Sequence, residues 1–169
     1  DGLTHVCAVP CSYAKSLINA LINKSPRIEY IPCASEAVAC SVAAGLKMSG
    51  SKPFILSQSS GLTNMGSCIS SLLKPYNIFV PILISWRPYT PGDSEIQHEL
   101  LASNLPNLVS SYGYTLVTLD AQSVDMACSQ IQDSFLAHNL IVFRDNTFSE
   151  VGLLDAGGNV LESIPKRSQ

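Results

Sequence analysis

Apolar residues fall in short unbroken runs, and between the runs they recur with helical spacing. The runs predict strands at residues 5–9, 27–31, 53–58, 78–86, 114–119 and 140–144. The periodic stretches predict helices at 12–23, 36–49, 64–73, 96–103 and 123–138. The run at 78–86 is the strongest strand, being rich in β-branched residues. Strands that are apolar throughout, rather than alternating, suit a sheet buried on both faces. Strands and helices in strict alternation predict an α/β fold, an open and mostly parallel sheet with helices on both faces. One domain is expected over residues 1–145. The polar, Gly-containing tail at 146–169 reads as an arm or linker.

In such sheets ligands gather beyond the carboxyl ends of the strands. Four polar segments collect on that rim: residues 9–12, 33–36, 58–64, and 86–87 with the loop that leads to Gln97 and His98. Glu36 is the most informative residue among them. Ser35 reads as a helix N-cap, Glu36 falls in the first turn, and Gly50 is a stop signal. The helix behind it is apolar almost all round. A first-turn carboxylate complements the helix dipole. A carboxyl set against a wall of Ala, Val and Cys is also the setting of a catalytic acid. The segment alone leaves both readings open.

Composition narrows the classes. Hydrophobic residues make up 46% of the 169 and charged residues only 14%, so apolar surface is left over for a partner. The net charge of −3 provides no basic field for nucleic acid. No apolar run reaches the length of a membrane span. The six cysteines lie in apolar strands and helices and read as reduced small hydrophobes, which implies a cytoplasmic protein. Cys7 and Cys11 lack a second pair that would complete a zinc site, so no metal ligands are expected in this chain. Neither a Walker A pattern nor G-x-G-x-x-G after a strand is present, and there is no G-x-S-x-G elbow.

Other rim residues carry chemistry in principle. Arg87 could fork onto an anion or pair with Asp93 or Glu95. His98 could bind an anion or cap a helix. Gly61 and Asn64 form a turn into a helix that could meet a flat heterocycle or serve as a plain cap. His5 reads as structural, and His138 as complementing a helix C-terminus.

Taken in order, the segments Val-Pro-Cys-Ser (9–12), Ser-Glu-Ala-Val-Ala (35–39), Gln-Ser-Ser-Gly-Leu-Thr-Asn (58–64), Ile-Ser-Trp-Arg (84–87) and Glu-Ile-Gln-His-Glu (95–99) resemble one family. It is the pyrimidine-binding domain of thiamine-diphosphate-dependent 2-oxo acid decarboxylases, in the branch of phosphonopyruvate and sulfopyruvate decarboxylases. The resemblance covers residues 3 to 145. It implies that Glu36 hydrogen-bonds the aminopyrimidine of thiamine diphosphate and activates the cofactor. It implies that Pro10, Ser60, Gly61 and Asn64 contact the cofactor too. Cys11, Ser12, Arg87, Gln97 and His98 would face a small 2-oxo acid that carries a second anion.

The family also needs a second domain, with a Gly-Asp-Gly … Asn stretch that holds Mg²⁺ and the diphosphate. Gly92-Asp93-Ser94 has no such continuation. The resemblance therefore implies a hetero-oligomer with a beta subunit that supplies this domain. Two departures stand out: Thr63 where the family often has Gly, and Pro88 where it often has Gly after Trp-Arg. A carboligase or acyl-transfer subunit, a non-catalytic assembly subunit, and an unrelated flavodoxin-like anion-binding module are the competing expectations.

Overall fold

The computed structural model describes residues 2–23, 27–87, 96–119, 122–144 and 147–148. Six strands form one sheet: β1 His5–Ala8, β2 Glu29–Pro32, β3 Pro53–Gln58, β4 Ile82–Ser85, β5 Thr115–Thr118 and β6 Asn139–Phe143. Their order is β2-β1-β3-β4-β6-β5, and every pairing is parallel. The helices are α1 Lys15–Asn23, α2 Glu36–Met48, α3 Leu62–Cys68, α4 Glu99–Ser111 and α5 Val124–Asp133. Short 3₁₀ turns precede α1 (Ser12–Ala14), α3 (Ser59–Gly61) and α4 (Ile96–His98), and a π-type turn, Ile69–Leu73, extends α3.

Alternate side chains of the central strands enter two separate cores. Cys7, Ile55, Ile82, Ile84, Leu140 and Val142 pack under α2, α3 and α4. Val6, Ala8, Phe54, Leu56, Leu83, Ile141 and Phe143 pack under α1, with Ile131 of α5 against them. Both faces are thus covered, which is why these strands are apolar throughout. Phe148 rests on this second core, 5.1 Å from the Phe143 ring. Residues 146 and 149–169 of the predicted arm, and the loop at 88–95, lie outside the described residues.

The chain runs from β1 out to β2 and returns past β1 to β3. That reversal opens a crevice at the carboxyl ends of β1 and β3.

Three elements differ from the sequence expectation. The strand predicted at 78–86 enters the ladder only at Ile82, because Pro81 has no N–H to donate. Its carbonyl still accepts from the Ile55 N–H at 2.9 Å. The helix predicted at 96–103 continues to Ser111 with Pro106 inside it. Proline cannot donate to the carbonyl four residues back, here that of Ala102. The Trp86 indole N–H fills that role, at 3.0 Å from Ala102 O. His138 is not at a helix end, since α5 stops at Asp133. Its ring lies 4.6 Å from Phe79 and 4.9 Å from Tyr114. Burial, then nearby Lys74, lowers its pKa, so it sits there as a neutral aromatic rather than a dipole partner.

Candidate functional site

The β2–α2 connection sets Glu36. Ser35 is extended, and its hydroxyl accepts the Val38 N–H at 3.3 Å, which starts α2 at Glu36. Ala39, Cys40, Ala43 and Ala44 of the same helix point into the core. Glu36 itself is half-buried rather than enclosed, because it lies on the first turn and reaches sideways to α3.

The β3–α3 connection meets it there. Gly61 caps α3 with an ordinary right-handed backbone (φ −81°), so torsional freedom is not what requires glycine. Space is: a Cβ at position 61 would overlap the Glu36 carboxyl and its Cγ. One turn on, Asn64 Nδ2 donates to Glu36 Oε2 at 2.9 Å. Among the described residues, Oε1 accepts no hydrogen bond. The carboxylate is therefore fixed at one oxygen and open at the other, beside a backbone with no side chain in the way. Such a cradle fits the edge of a flat, nitrogen-bearing heterocycle.

The β1 loop forms the neighbouring wall. Pro10 and Ser12 are exposed on the rim. Cys11 turns inward, is buried, and its thiol donates to Ser85 Oγ at 3.2 Å, tying this loop to the end of β4. The Arg87 guanidinium lies 5.4 Å from the Tyr13 ring centre, so the β4 end and the β1 loop meet a second time. His98 is buried, in the 3₁₀ turn that also carries Gln97. That turn packs on Ser59–Gly61. Ser60 is half-buried, and its carbonyl accepts from the Thr63 hydroxyl at 3.5 Å. Thr63 is exposed, facing away from the core.

The structure thus brings the predicted residues onto one rim in two groups. Glu36, Ser60, Gly61 and Asn64 lie where α2 meets α3. Pro10, Cys11, Ser12 and Arg87 lie across the crevice, with Gln97 and His98 at its α4 side. Sequence reasoning missed Ser85, which accepts from Cys11, and Tyr13, which meets Arg87; together they tie the β1 loop to the end of β4. Ser85 lies within the quoted 84–87 motif and Tyr13 adjoins the 9–12 motif, yet nothing local marks them as partners. Ser59 was also missed. It is buried with no hydrogen-bond partner for its hydroxyl among the described residues. All six cysteines are free thiols. Among the described residues no cluster of His, Cys, Asp or Glu could hold a metal ion. Nor is any helix among them long and apolar enough to cross a membrane.

The chain resembles known proteins over this same region. It is 38% identical over 100 residues to phosphonopyruvate decarboxylase of Streptomyces viridochromogenes, covering 59% of this chain and 25% of that protein. It is 38% identical over 87 residues to sulfopyruvate decarboxylase subunit alpha of Methanococcus maripaludis, covering 52% of each. The matches thus span a quarter to a half of the length of these relatives. A solved structure from Mycobacterium smegmatis, described as a thiamin diphosphate-dependent enzyme, shares the fold. It has a TM-score of 0.60 at 16% identity, over 96% of this chain and 31% of that one. Residues 1–100 match the family model described as thiamine pyrophosphate enzyme, N-terminal TPP binding domain. These matches displace the flavodoxin-like alternative. The chain belongs to the thiamine pyrophosphate enzyme family and carries its N-terminal TPP binding domain.

Proposed function

We propose that this chain is the alpha, pyrimidine-binding part of a thiamine-diphosphate-dependent decarboxylase acting on a 3-anionic pyruvate such as sulfopyruvate or phosphonopyruvate. The observation that carries this reading is Glu36, held by Asn64 at one oxygen and cleared by Gly61 at the other. The names of the relatives support the substrate class. The subunit-alpha relatives support a partner chain.

Bound thiamine diphosphate would supply the electron sink that lets carbon dioxide leave a 2-oxo acid. This chain's own residues would do the following. Glu36 Oε1 hydrogen-bonds the aminopyrimidine and holds or releases a proton there. Asn64 keeps the carboxylate from rotating away, and Gly61 lets the ring approach. Pro10 and Ser60 border the cofactor. Cys11, Ser12 and Gln97 border the substrate, and Arg87 and His98 offer donors to its distal anion. Arg87 works from its place over the Tyr13 ring, 5.4 Å from the ring centre. A beta subunit would hold Mg²⁺ and the diphosphate, in a cytoplasmic hetero-oligomer.

The test is native mass spectrometry of the protein purified from its source with thiamine diphosphate and Mg²⁺. The expected result is a heteromer whose second chain carries a Gly-Asp-Gly … Asn stretch, with cofactor mass retained. A homo-oligomer that takes up no cofactor would overturn the reading.

A further inference from the structure

The loop after β1 and the end of β4 meet at two points, two residues apart on each segment. Cys11 meets Ser85, and then Tyr13 meets Arg87. The first contact is buried, with the thiol donating to the Ser85 hydroxyl at 3.2 Å. The second sets the Arg87 guanidinium 5.4 Å from the Tyr13 ring centre, within reach of cation–π attraction.

Both partners are themselves held. Tyr13 is the middle residue of the 3₁₀ turn Ser12–Ala14, which the Ala14 N–H closes by donating to the Cys11 carbonyl at 3.2 Å. Ala14 is fully buried, and Tyr13 packs against the core under α1. Arg87 is half-buried, and Pro88 follows it in the sequence. A residue before proline is confined to extended backbone. Pro88 thus restricts the Arg87 main chain while Tyr13 attracts the tip of its side chain. A long arginine side chain loses rotamer freedom when it grips an anion, and holding it in place beforehand lessens that cost. An aromatic face attracts a guanidinium without cancelling its charge, whereas a carboxylate would cancel it.

We propose that Tyr13 is a positioning residue that holds Arg87 ready for the second anion of the substrate, a sulfonate or phosphonate, and so favours 2-oxo acids that carry one. This rests on the decarboxylase reading given above. The second anion takes no part in the bond that breaks, so the grip on it is equal in the ground state and the transition state. Loosening that grip raises KM and leaves kcat alone.

The test measures kcat and KM for carbon dioxide release from sulfopyruvate and phosphonopyruvate by the native complex, with native mass spectrometry to verify assembly and cofactor loading. Tyr13→Leu is expected to raise KM roughly fivefold with kcat within about twofold, and Tyr13→Phe, which keeps the ring, to retain the unmutated KM. A trifluorinated phenylalanine at position 13 keeps the ring's shape but drains its face of negative charge, so it should raise KM above that of Tyr13→Phe. The inhibition constant of pyruvate, which has no second anion, should not move. With Arg87→Met in place, Tyr13→Leu should raise KM no further. An unmoved KM in both the leucine and the fluorinated variants, an equal rise in the Arg87→Met background, or a matching loss of pyruvate inhibition would overturn the proposal and leave the decarboxylase reading standing. No carbon dioxide release from either substrate by the unmutated complex would overturn both.

Discussion

Asn64 donates to Glu36 Oε2 at 2.9 Å, while Gly61 lies so close to the same carboxyl that no Cβ fits between them. An ionised carboxylate only accepts, so the amide must present its NH₂ side to it. This contact joins the N-termini of α2 and α3, and it fixes which carboxylate oxygen stays open.

Asn64→Ala removes the donor and leaves Glu36 free to rotate. We expect the fold to be retained, because Asn64 is exposed. Turnover of the assembled enzyme should fall by on the order of 10²-fold, as for a misplaced catalytic group. Steady-state kinetics beside a thermal melt would check this. A large loss of melting temperature with normal turnover would contradict it.

Gly61→Ala tests the clearance. The atoms a new Cβ would strike run from the Glu36 Cγ to its carboxyl, so Glu36 must turn about its Cα–Cβ bond to swing aside, and the domain should stay folded. The expected stability change is within about 1 kcal/mol. The Asn64 side-chain NH₂ resonances should nonetheless move in a ¹⁵N correlation spectrum. Unchanged resonances would mean that Gly61 does not govern the carboxylate.

Trp86 and Pro106 should be energetically coupled through the Ala102 carbonyl. Trp86→Phe leaves that carbonyl without its donor, at a cost of about 1–3 kcal/mol in chemical denaturation beyond the small change in ring size. Adding Pro106→Ala restores a backbone N–H able to reach Ala102, so the double variant should recover part of the loss. Strict additivity of the two changes would refute the coupling.

Cys68 should react with iodoacetamide along a titration curve centred near pH 7, since the Cys40 thiol donating to it, with Ser41, lowers its pKa to about 7. The thiolate forms as pH rises, so the rate climbs from pH 6 to 8, while an ordinary thiol is still climbing at about 8.5. The groups facing Cys68 are Cys40 and Ser41 on α2, with Tyr114 in the core behind them. Cys40→Ala should move the midpoint upward. An unchanged midpoint in that variant would contradict the donor role of Cys40.

The sheet was legible because six apolar runs, each bounded by polar turns, leave few alternatives to a covered parallel sheet. Its errors came from proline. Pro81 shortens β4, and Pro106 argues for a helix end that Trp86 makes unnecessary. Neither effect is visible without knowing which distant group meets which carbonyl. Glu36 stood out because an acid before an Ala/Val/Cys helix is costly. Its link to Asn64 was not legible, since the two lie 28 positions apart. The Cys11–Ser85 and Arg87–Tyr13 contacts span about 74 positions each and arise only when β1 and β4 align in the sheet.

The most direct measurement compares carbon dioxide release from sulfopyruvate and phosphonopyruvate by the native complex and by the same complex with Glu36→Gln. Native mass spectrometry would verify that both assemblies are intact and loaded with thiamine diphosphate. The account predicts that the variant assembles normally, and that release from the accepted substrate falls by several orders of magnitude. Full release by the Glu36→Gln complex would contradict it.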